Sequence, residues 1–147
     1  MNRRLTMFAL VLLPLFVTAC STTSTMDDTS TMTDKSKLGT LASSLGITAQ
    51  QAQGGVGAML VVAQQRLAHD DYLQIVKYIP EASEYVGVAR QLSVFEGASS
   101  TATALDASFA KLGFTLEQQA KFTSAVTDYL TRAGGRDVGN LMRGALK

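Results

Sequence analysis

Apolar residues are distributed along this chain in two ways. Residues 5–19 form one run broken only by Thr6, Pro14 and Thr18, and from Leu38 onward apolar positions recur at helical spacing. The run is shorter than the roughly 20 residues that span a bilayer as a helix. Between the two regions, residues 21–36 read STTSTMDDTSTMTDKS, with no aromatic side chain. Such a tract cannot bury enough apolar surface to offset its ordering entropy. As a flexible coil it would span about 20–25 Å, the reach of a tether.

Leu38, Leu41, Ala42 and Leu45 share one face of a short helix. Gly46 suits its left-handed C-terminal stop. Thr48 followed by Gln51 is a capping box, so a second helix is predicted from Ala49, with Val56, Met59, Leu60, Ala63 and Leu67 facing inward. A third helix is predicted over residues 72–79, capped by Asp70 or Asp71, with Leu73, Val76 and Ile79 on its inner face and Ile75 beside them. Pro80 ends it and opens a fourth over residues 81–92, which buries Ala82, Tyr85, Val86, Ala89 and Leu92. Residues 93–103 lack periodicity and read as a loop from which Val94 and Phe95 reach the core. A fifth helix resumes near Ala104 through Leu105, Phe109 and Leu112, and Gly113 stops it. Thr115 and Gln118 form a second capping box. The helix they open carries Leu116, Ala120, Phe122, Val126, Tyr129 and Leu130 and ends at Gly134-Gly135. Asp137 would cap a last helix that buries Val138, Leu141, Met142 and Ala145. The expected fold is all-α, a small bundle of five to seven short helices.

Two corners of this bundle read alike. Leu45-Gly46-Ile47-Thr48-Ala49-Gln50-Gln51-Ala52 returns as Leu112-Gly113-Phe114-Thr115-Leu116-Glu117-Gln118-Gln119-Ala120, with one residue of slip. Ile47 and Phe114 occupy the hydrophobic-staple position before each helix. With Gly54-Gly55-Val56-Gly57-Ala58-Met59-Leu60, Ile79-Pro80 and Tyr129-Leu130, these pieces resemble the VcgC/VcgE-like domain of unknown function, a bacterial family, over residues 38–147. The resemblance implies a small helical domain, often exported, and supplies no catalytic residue.

The apolar run changes meaning once its flanks are included. Arg3 and Arg4 precede it, and Val17-Thr18-Ala19-Cys20 closes it. A basic start, an apolar segment and small residues before a cleavage point define an export signal. The closing tetrapeptide resembles the bacterial lipobox. That resemblance implies cleavage between Ala19 and Cys20, diacylglycerol on the Cys20 thiol and acylation of the new amino group. One acyl chain anchors a protein marginally and several hold it firmly. Ser21, in place of an aspartate, implies the outer membrane facing the periplasm in a Gram-negative host. The chain thus divides into a signal at 1–19, a lipidated cysteine and tether at 20–37, and a helical domain at 38–147.

Cys20 is the only cysteine, so no intrachain disulfide can form. Without Arg3 and Arg4 the 13 basic residues fall to 11 against 12 acidic ones, a formal charge of −1. Nucleic-acid binding would show as a strongly basic patch, and none is present. No polybasic cluster marks anionic lipid either.

Other candidate chemistry is sparse. Gly54, Gly55 and Gly57 are neither a dinucleotide fingerprint nor a phosphate-binding loop, since no strand precedes them and the spacing is wrong. They read as a surface for close helix approach, or as the sign of a helix that starts late. His69 beside Asp70 and Asp71 falls short of a zinc ligand set and reads as a solvated turn. No nucleophile motif accompanies His69, so no enzyme, metal or cofactor is expected. The leading function is a lipid-anchored interaction or structural module of the envelope, with a protein partner there. The alternative is a periplasmic binder of a small molecule or lipid, in an apolar cavity lined by Met59, Phe109, Phe122 and the tyrosines.

Overall fold

A computed structural model describes residues 35–94 and 102–147. Ala19, Cys20, the tether as far as residue 34 and Phe95 lie outside the described residues. Six helices and no strand make up the rest: α1 (Lys35–Leu45), α2 (Ala49–Arg66), α3 (His69–Val76), α4 (Ala82–Gln91), α5 (Ala102–Lys111) and α6 (Leu116–Ala145). The fold is all-α. Helices α1 and α5 each begin a few residues ahead of Leu38 and Ala104.

The centre of the bundle is α2, on which all five other helices pack. Every residue from 54 to 63 is buried. The sequence there, GGVGAMLVVA, has no polar side chain on any side, and a helix apolar all round belongs inside a core. The single inner face expected for α2 understates this.

Three helices end in the same way. Gly46 donates its N–H to the Ser43 carbonyl and Ile47 to Ala42. Gly113 and Phe114 repeat this onto Ala110 and Phe109, and Ser93 and Val94 onto Arg90 and Ala89. This double bond is the Schellman stop, which needs a left-handed residue at its turn. Gly46 (φ 66°), Gly113 (φ 80°) and Ser93 (φ 52°) supply it. After α4 the stop delivers Val94, fully buried, to the core. The Ser108 hydroxyl on α5 donates to the Val94 carbonyl and ties that exit down.

Four local expectations are corrected. Helix α3 begins at His69 behind Ala68, which makes no side-chain capping bond, so Asp70 and Asp71 lie in its first turn rather than at its cap. There they oppose the positive end of the helix dipole. Its buried stripe is centred on Ile75, with Ile79 one turn on, which turns Leu73 outward at 49% exposure.

In α6 the buried stripe runs through Phe122, Val126 and Leu130. Leu116 lies off that stripe in the first turn and is 82% exposed; Ala120 is exposed as well. Gly135 (φ 88°, ψ 173°) breaks α6 into residues 116–134 and 136–145. Gly135 itself takes the non-helical position before the second part, so Asp137 sits in that part's first turn and not at its cap.

Candidate functional site

The two similar corners lie directly against each other. At each one the threonine hydroxyl accepts from the glutamine N–H three residues on, and the glutamine Oε1 accepts from the threonine N–H. The distances are 3.1 and 2.8 Å for Thr48 and Gln51, and 3.2 and 2.9 Å for Thr115 and Gln118. Both capping boxes foreseen from the sequence are therefore formed.

Each glutamine also has a second role, which the capping pattern does not reveal. Gln51 Nε2 donates to the Leu112 carbonyl at 2.6 Å, and Gln118 Nε2 donates to the Leu45 carbonyl at 2.9 Å. The corners are thus equivalent at a constant offset of 67 residues (45 to 112, 48 to 115, 51 to 118), without slip through the capping box. Helix starts keep the same offset, 35 to 102 and 49 to 116. The signal available in the sequence was glutamine rather than glutamate at both third positions.

The glycines of α2 line its packing surface. A Cβ on Gly57 would fall 2.0 Å from the Tyr85 carbonyl oxygen on α4. On Gly54 it would meet Leu112 and Leu92, and on Gly55 the rings of Phe122 and Phe109. Close helix approach is the role of these glycines. Phe109, Phe114 and Phe122 pack edge to face with centroids 4.9 to 5.9 Å apart. Met59, Phe109 and Phe122 are fully buried. Open grooves elsewhere among the described residues include two. One of about 480 Å³ is bordered by Leu67, Asp71, Gln74, Asp137, Asn140 and Leu141. The other, about 350 Å³, runs between the two parts of α6 beside Thr127 and Arg143.

His69 is exposed at the start of α3, next to exposed Asp70 and half-buried Asp71. Among the described residues, no three His, Cys, Asp or Glu side chains are grouped to hold a metal. On α4 the Tyr85 hydroxyl donates to the Glu81 carboxylate. Burial, then this hydrogen bond and the charges of Glu81 and Glu84, push the Tyr85 phenol above the ordinary tyrosine value. The fold therefore favours the protonated phenol. Its contribution is intact below about pH 10, the unfolded value, and is lost as pH rises beyond it. Urea unfolding between about pH 9 and 11 should show stability falling with pH, and Tyr85→Phe should remove part of that slope.

A family model described as "Protein of unknown function VcgC/VcgE (DUF2780)" matches residues 17–147, and the chain belongs to this family. The match begins at Val17, the first residue of the lipobox-like tetrapeptide, and is wider than the helical domain alone. No curated protein and no solved structure matches the chain.

Proposed function

We propose that this member of the VcgC/VcgE family is a lipid-anchored lipoprotein of the bacterial cell envelope, with a helical domain that serves as a non-catalytic interaction or structural module. One observation carries the reading. Val17-Thr18-Ala19-Cys20 stands directly behind a basic start and an apolar run of export-signal length. The thiol and amino group of Cys20 carry the acyl chains, and residues 21–36 give the domain its reach. Ser21 directs the protein to the outer membrane, facing the periplasm.

Two findings support this reading. The family match takes in the tetrapeptide and the Ser/Thr tract along with the helices. Among the described residues, no helix is long and apolar enough to cross a membrane, so a lipid on Cys20 would supply an attachment that those helices do not. Phe109 and Phe122, two of the expected cavity walls, pack edge to face on each other and are fully buried with Met59, which favours a module that works through its surface.

Cys20→Ser tests the anchor. The variant should lose metabolic labelling by a fatty acid and leave the wild-type membrane fraction, released where the signal is still cut and held in the inner membrane by the signal where it is not. A variant that fractionates and labels as wild type does would refute the assignment.

A further inference from the structure

We propose that Gln51 and Gln118 form a two-way clasp, a conformational device by which the two helical corners lock each other and open together. A helix leaves its last carbonyls without intrahelical partners. Leu45 and Leu112, each just ahead of its left-handed glycine, are such residues, and each carbonyl receives the glutamine of the opposite corner. The donor is fixed in place because the same side chain is held at Oε1 by its own threonine N–H. Each glutamine therefore joins the start of one helix to the end of another, 61 residues away for Gln51 and 73 for Gln118.

The bonds run in opposite directions between the same two bodies. Residues 45 and 51 belong to one corner, 112 and 118 to the other. A movement that separates the corners stretches both bonds. Glycine at 113 permits the approach, since a Cβ there would lie 3.2 Å from Gln51 Nε2. The clasp also explains the residue type. Glutamate serves a capping box as well as glutamine does, but an ionised carboxylate cannot donate and would face a carbonyl oxygen. Only a side chain with both an acceptor and a donor can do both jobs.

Gln51→Glu in the full chain separates the two roles. It keeps the acceptor for the Thr48 N–H and loses the donor to Leu112. At neutral pH, amide hydrogen exchange, corrected for intrinsic rates, should quicken about tenfold, the factor that 1.4 kcal/mol represents. This should occur at Gly46 and Ile47 as well as at Gly113 and Phe114. Below about pH 4, near the ordinary glutamate value, the protonated carboxyl regains a donor and protection should return at both corners. The mirror variant Gln118→Glu should behave alike. Thr48→Ala removes a capping bond and leaves both Nε2 donors, so it should loosen the start of α2 without releasing Gly113 and Phe114. If Gln51→Glu does not fold at neutral pH, the same chain compared at pH 4 and the mirror variant give the answer. Faster exchange confined to one corner, no recovery at low pH, or Thr48→Ala releasing both corners would each overturn the clasp.

Discussion

Gly57→Ala should destabilise the domain, whereas Gly87→Ala should stabilise it, although both exchange a helical glycine for the best helix former. The difference lies in what each new methyl meets. At 57 it would stand 2.0 Å from the Tyr85 carbonyl oxygen and 2.8 Å from the Ala89 methyl. The nearest atom is backbone, so no rotamer change relieves the clash, and α4 must move off α2. Overpacking costs about 1–3 kcal/mol and occasionally more. A backbone clash this close puts the cost at the upper end of that range, and the helix gain of up to about 1 kcal/mol offsets part of it, which leaves a net loss of about 2 kcal/mol. In a domain of this size that lowers the Tm by about 8–16 °C. At Gly87, on α4, a methyl would have no neighbour within 4 Å. Alanine there should gain about 0.4–1 kcal/mol by restricting the unfolded chain. Urea and thermal unfolding of the two variants check the pair. Equal effects would mean that α4 does not seat on Gly57.

The starts and stops of the helices were legible because they are made by local chemistry. Thr48 with Gln51, Thr115 with Gln118, and the left-handed Gly46 and Gly113 all act within one turn of chain. Where a boundary depends on distant packing, the same rules failed. The seating of Ile75 and Ile79 in the core sets the start and the face of α3, and two adjacent aspartates do not reveal it. Ser93 holds a left-handed stop with no glycine to announce it. A capping-box glutamine has the same letter whether its amide nitrogen faces water or another helix end, so the pairing of Gln51 with Leu112 needed three dimensions. The complete burial of residues 54–63 was readable in principle, since that stretch offers water no polar side. For Cys20 the position is reversed. Its reading rests on the residues around it and on a family match that spans it, and the helices contribute nothing to it directly.

Phe122 and Gly55 are expected to be strongly coupled. Phe122→Ala alone should cost about 3–5 kcal/mol, the usual loss for a buried phenylalanine, because its ring is fully buried and sits edge-on to both Phe109 and Phe114. Gly55→Ala alone should cost about 1–3 kcal/mol, since its methyl would lie 2.9 Å from Phe122 Cε1 and 3.2 Å from Phe109 Cε1. Once the Phe122 ring is gone, the methyl at 55 enters the vacated space and α2 gains helix propensity. In the Phe122→Ala background, Gly55→Ala should therefore be neutral or stabilising by up to about 1 kcal/mol. The double-mutant cycle should give an interaction energy of about 2 kcal/mol in the compensating direction, within the range for residues that share a cavity. Chemical denaturation of the four chains measures it. Additive losses would show that glycine at 55 is not there to admit the ring, and the small-residue surface of α2 would need another explanation.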